Sequence, residues 1–179
     1  MHKVIESKSM FKGRVFEAKV EDIILPTGEK AQREVVVHRG GASMLAIYQK
    51  DSIVLVRQYR HAAGRYVLEV PAGIIEPGET PQDCAIRELR EETGYTSTDV
   101  RKLITMYKSV GYSTEKHSIY LAQNLTPGVQ NLDPGEEVEV ILMPIEEVKR
   151  KIFSGEIEDA KTVTGVLAYR ELMHKGIAI

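Results

Sequence analysis

Between Gly73 and Tyr95 the chain reads GIIEPGETPQDCAIRELREETGY, and this segment constrains the fold most because loop, helix start, charged helix face and helix stop follow in order. Thr80 is an N-cap residue, Pro81 suits the first helical position, Asp83 meets the positive helix end, and Gly94 supplies a left-handed stop. A helix over roughly 81–93 is predicted. On it Glu88 stands four residues before Glu92 and three before Glu91, so like charges crowd adjoining parts of one face and oppose helix formation. Arg87, four before Glu91, offsets part of that charge. The remainder suits a hard divalent cation that takes oxygen ligands. A glutamate-rich face alone is more often simply solvated, so the spacing of the surrounding residues has to decide.

The chain has 179 residues, 42% of them hydrophobic, enough for a single domain to bury a core without disulfides. A net charge of -2 and a pI near 6.2 argue against a surface that coats nucleic acid. Lys149-Arg150-Lys151 reads as the solvated end of a helix. The lone cysteine, Cys84, falls among apolar residues of the motif helix and is expected to be a buried structural thiol. His38, His61, His117 and His174 show no metal-type spacing. The N-terminus carries no signal-type apolar stretch, and no run approaches the roughly 18 apolar residues of a membrane span. A cytoplasmic location is the expectation.

Along the chain, RVFEAKVEDIIL and AQREVVVHR flank the turn Pro26-Thr27-Gly28-Glu29 and predict an antiparallel hairpin within the first forty residues. ASMLAIY and SIVLVRQYR predict a second hairpin across Gln49-Lys50-Asp51. Strands are expected near 66–70, 97–108, 116–123 and 137–143, and helices near 145–153 and 159–174. Mixed strands with helices after and between them indicate an α/β or α+β sandwich.

Gly73, Glu79, Arg87-Glu88-Leu89, Glu91-Glu92 and Gly94, at their intervals of five, seven, one and one residues, match the signature of the Nudix hydrolases. The one departure is Tyr95 where the family carries a bulky aliphatic residue; its ring can still pack as an apolar body. The resemblance implies an α/β/α layered fold with a mixed sheet over residues 41–179, preceded by an N-terminal β-hairpin region over 1–40. SIVLVRQYR, LEVPAGIIEPGE, SVGYSTE and EIEDAKT further resemble the branch that cleaves ADP-ribose. In that branch the hairpin extension builds a homodimer, which is the assembly expected here.

The implied reaction is magnesium-dependent hydrolysis of the ADP-ribose pyrophosphate to AMP and ribose 5-phosphate, with manganese as the other candidate ion. Cleavage of GDP-mannose or another nucleoside diphosphate sugar is the alternative, and a non-catalytic ADP-ribose sensor a further one. Against the sensor, all motif glutamates remain, and the roughly thirty-five residues after Met143 are few for an appended DNA-binding winged helix. By resemblance Glu88 and Glu92 are the first metal ligands, Glu91 the next, and the Ala72 carbonyl a further one. Glu79 and Arg87 are expected to orient loop and helix around them, Arg87 standing with Glu91 and Glu115 in the catalytic group. Glu115, ending the loop Ser109–Thr114, is the candidate general base, with an exposed loop-end carboxylate as the competing reading. Arg60, Arg33 and Arg57, in that order, are candidates for the diphosphate or base, with Glu69 and Gly111 also at the substrate. Val110 stands where related hydrolases commonly have proline, which predicts a loop that closes less tightly.

Overall fold

Residues 1–176 are described by the structure, a computed structural model. The chain forms two compact units, one of Met1–Gly40 with Met106–Lys116, the other of Gly41–Thr105 with the chain from His117 onward.

In the first unit, strands β1 (Lys3–Lys12), β2 (Phe16–Ile24) and β3 (Lys30–His38) make an antiparallel sheet in chain order. The β2–β3 hairpin is the one the sequence predicts. Gly28, with φ of 90°, adopts the left-handed geometry its turn demands and donates to the Leu25 carbonyl at 2.9 Å. β1 goes beyond the expected hairpin. Its pairing with β2 shifts register between Val4 and Glu6 and again between Ser9 and Phe11, which breaks the period-two pattern a strand normally displays. Segment 106–116 is laced to β3: the Val36 N–H donates to the Tyr112 carbonyl at 2.8 Å and the Thr114 N–H to the Val36 carbonyl at 2.9 Å.

The second unit is organised on β4 (Gly41–Tyr48), buried along nearly its whole length. β5 (Ser52–Arg60) and β7 (Ala72–Ile74) pair with it antiparallel, and β9 (Lys116–Gln123) pairs with it parallel, so the sheet is mixed. β10 (Val138–Pro144) and β6 (Arg65–Glu69) join β5, and β8 (Asp99–Tyr107) lies beyond β9. Strand alternation sends Ala42, Met44 and Ala46 to one face, where they pack with Cys84, Ala85 and Leu89 of helix α1 (Pro81–Thr93). Ile119 points to the other face and meets Gly165 of helix α3 (Ala160–His174), against which α2 (Ile145–Phe153) also packs. Helix, sheet and helices form the three layers, and the protein is of mixed α+β class. The expected helices and strands of this unit form within one or two residues of their sequence bounds, while the three-residue β7 is too short to leave a pattern. No described helix is long and apolar enough to cross a membrane.

Candidate active site

Helix α1 is set by its ends. Thr80 accepts from the Asp83 N–H at 3.2 Å, Pro81 occupies the first turn, and Gly94, at φ 76°, closes the helix with its N–H on the Arg90 carbonyl at 2.8 Å. With its apolar side pressed on β4, the helix turns its glutamates toward the loop leaving β7. At Gly73 in β7 a Cβ would lie 1.7 Å from Glu88 Oε1, so any larger residue would displace that carboxylate. Absence of a side chain lets backbone and carboxylate occupy one spot. Tyr95 packs on the same core and tilts against Tyr48 at 5.4 Å, so the departure from the aliphatic residue is absorbed by stacking.

Arg87 is the hub of the cluster. Its guanidinium grips both oxygens of Glu79 at 2.8 and 3.1 Å, donates to Glu88 at 2.7 Å and to Glu91 at 3.2 Å, and reaches the Ile74 carbonyl at 3.4 Å. This grip holds the Glu79 carboxyl below its usual range, and Glu79 also accepts from the Glu76 N–H at 3.0 Å. Glu88 moves the other way, because burial raises its carboxyl despite the neighbouring Arg87. Glu92 is 4% exposed and accepts from the Ala72 N–H at 2.9 Å. Burial, reinforced by the Glu88 charge, pushes its carboxyl up to about 8. These are hard oxygen donors with too little positive charge around them, which fits a divalent cation in kind. As they stand, Arg87 engages Glu88 and Glu91, and among the described residues no three His, Cys, Asp or Glu side chains form a ready metal-binding group. Cys84 is buried, its thiol raised to about 12 chiefly by burial, as expected of a structural residue.

The substrate candidates divide between the units. Arg60 donates from Nε to Glu69 at 2.6 Å, and Glu69, 2% exposed, also takes an ion pair from Lys161. Burial alone would lower the Arg60 pKa, but Glu69 and the further charges of Glu92 and Asp159 hold it raised. Arg60 thus belongs to the electrostatic neighbourhood of Glu92. Arg57 goes to different partners, pairing with Glu139 at 3.1 Å and lying 4.3 Å over the Tyr66 ring. In the first unit Arg33 is exposed and donates to the Gln32 carbonyl at 2.8 Å. Glu115 there pairs with Lys108 at 3.2 Å, and its N–H donates to Ser113 at 3.1 Å. A Cβ on Gly111 would meet nothing within 4 Å, so space does not demand a glycine there.

Three residues without a role in the sequence pattern join this cluster: Lys161 meets Glu69, Thr162 accepts from the Val70 N–H, and Asp159 links Lys161 to Thr162. One signal was available: a lysine in the first turn of a helix opposes the helix dipole and calls for a carboxylate partner.

A family model described as the NUDIX domain matches residues 37–164. The chain belongs to the Nudix family and is a hydrolase of that family. It is 37% identical over 92% of its length, and 90% of the relative's, to an "ADP-ribose pyrophosphatase" of Bacillus subtilis (strain 168). It is equally 37% identical, over the same shares, to a "Methanol dehydrogenase activator" of Bacillus methanolicus. A solved structure described as an "ADP compounds hydrolase" superposes with a TM-score of 0.85 at 24% identity, covering 99% of this chain and 97% of that one, which extends the likeness in fold to nearly the full length. Nudix hydrolases generally use a divalent metal ion.

Proposed function

We propose that the protein hydrolyses the pyrophosphate bond of ADP-ribose, giving AMP and ribose 5-phosphate, with magnesium as its ion and manganese as a substitute. The observation that carries the reading is the pair Glu88 and Glu92, packed against Gly73 and Ala72 with carboxyls raised by a burial that Arg87, on Glu88, and Arg60, near Glu92, do not offset. The similarity to an ADP-ribose pyrophosphatase supports the substrate. Glu88, Glu92, Glu91 and the Ala72 carbonyl would hold the ion, which when bound supplies positive charge to the pyrophosphate oxygens.

The remaining work falls to the chain itself. Arg60 binds the diphosphate, its fork steadied by Glu69. Arg87 and Glu79 keep the loop and α1 in fixed relation, so that Glu88 and Glu92 stay together. Glu115 accepts the proton of the attacking water, with Lys108 fixing the carboxylate until then. Arg33, Arg57 and Gly111 are substrate contacts of lower rank. The N-terminal region builds a homodimer, which light scattering of the full chain tests directly; a monomer with full activity would sink it.

The deciding experiment is a substrate panel with magnesium in oxygen-18 water, products resolved by chromatography and mass spectrometry. The expected result is ADP-ribose cleaved to AMP and ribose 5-phosphate with label in one phosphate product. A higher kcat/KM for GDP-mannose than for ADP-ribose would overturn the substrate, and label in neither phosphate would overturn attack of water at phosphorus.

A further inference from the structure

Lys161 lies in the first turn of α3, an unfavourable place for a cation, and is nonetheless 4% exposed. Its ammonium is held by Glu69 and by Asp159, the latter at 2.9 Å. Glu69 divides its carboxylate, one oxygen on Lys161 and the other on Arg60 Nε at 2.6 Å. Asp159 caps α3 through the Thr162 N–H at 2.9 Å and accepts the Thr162 hydroxyl at 2.6 Å. That hydroxyl in turn accepts from the Val70 N–H at 2.9 Å, two residues before Ala72. One lysine is therefore the junction of two paths, one leading to the Arg60 guanidinium and one to the backbone that carries Ala72.

We propose that Lys161 is a positioning residue of the hydrolytic site, fixing the Glu69 carboxylate that aims Arg60 and, through Asp159 and Thr162, the strand end that leads into Ala72. The proposal rests on the reading of Arg60 as a substrate contact and Ala72 as a metal ligand. A buried ion pair adds little to stability compared with apolar groups of the same volume, so its consequence lies in the geometry it imposes. With a neutral side chain at 161, Glu69 and Asp159 would share Arg60 as their remaining cation, and the guanidinium would be drawn from its present aim. Small misplacements of a binding group are expensive in rate, about a hundredfold for 1 Å.

The test uses Lys161→Met in the full chain. The Arg60 Nε–H resonance, assigned by its disappearance in Arg60→Lys, is expected to exchange slowly with water in the native protein and at least about tenfold faster in Lys161→Met, since its acceptor is no longer fixed. For ADP-ribose with magnesium, kcat/KM should fall about tenfold or more in Lys161→Met, yet by less than about twofold when the same change is made in an Arg60→Ala background, because residues that act through one another are non-additive. Lys161→Arg should restore part of both signals. If Lys161→Met does not fold, Asp159→Asn, nearly isosteric and at the rim of the cluster, takes its place with the same expectations; failure of both to fold would mark a purely structural pillar and overturn the proposal. Unchanged Arg60 exchange in a folded variant, or additive losses in the double substitution, would also overturn it. If the native protein proves inert toward ADP-ribose while Arg60 exchange still answers to Lys161, the substrate reading falls and the positioning role stands.

Discussion

The carboxylates gathered around Arg87 and those gathered around Lys161 are both largely withdrawn from water, but the first group is left negative and the second is neutralised. Around Arg87 stand Glu79, Glu88 and Glu91, with Glu92 behind them, and Arg90 touches Glu91 from the exposed rim at 3.5 Å. Around Lys161 the anions Glu69 and Asp159 are matched by Lys161 and Arg60. Titration follows the difference: Glu88 and Glu92 are raised, whereas Asp159, although burial pushes it up, is held below its ordinary value by Lys161 and Thr162. A balanced cluster holds a shape. A surplus of negative charge withdrawn from water creates demand for a cation from outside.

Removing charge from the unbalanced cluster should have the largest effect. Glu88→Gln and Glu92→Gln are each expected to lower turnover at limiting magnesium by at least about tenfold, or about 1.4 kcal/mol of barrier, with circular dichroism unchanged. A folded variant with native turnover would remove that carboxylate from the metal set. Chelation should abolish activity and added magnesium restore it.

A smaller effect concerns acidity, and here the clusters should respond at opposite ends of the scale. Glu92 binds a proton more readily folded, at about 8, than unfolded, at 4.5, so its contribution to the stability of the metal-free protein is present at low pH and is lost as pH rises through about 8. Asp159 has the reverse sign: its contribution is present above 3.8 and is lost as pH falls through the lower folded value. Urea midpoints measured in chelator should therefore decline from pH 5 to 8.5 in the native chain and decline less in Glu92→Gln. Equal slopes in the two proteins would show that Glu92 does not hold the proton.

The smallest effect is reserved for the loop at 109–114. Val110 is 79% exposed, and Val110→Pro is expected to leave stability nearly unchanged while raising the preference for ADP-ribose over other nucleotide sugars by a few-fold, on the order of what a stiffened loop supplies. No change in the ratio of kcat/KM values would detach this position from selectivity.

How far these features could be read beforehand depended on whether they were local. Thr80, Pro81 and Gly94 state the limits of α1 within a few residues of chain, and the structure starts and stops the helix where they say. The strands around the motif could be read from apolar runs with clear turns, whereas their arrangement in a mixed sheet was implied only by the Nudix resemblance. β1 escaped because its two register shifts scatter the alternation, and because its partner is identified only by pairing. Crowding of Glu88, Glu91 and Glu92 was visible from spacing, but the degree of burial that separates Glu92 from the half-buried Glu91 was not. Lys161 pairs with Glu69 across 92 positions, a distance over which sequence spacing carries no information.

The parallel pairing of β4 with β9 has a bearing on how the molecule is made. Gly41 lies beside His117 and Ala46 beside Ala122, so the strand on which α1 rests acquires that neighbour only after a loop of some seventy residues has closed. α1 and its caps are drawn from inside that loop and can form locally within microseconds, whereas the floor beneath them waits for a distant contact. During refolding hydrolysis is therefore expected to return no earlier than the pairing of β4 with β9, whichever local elements form first.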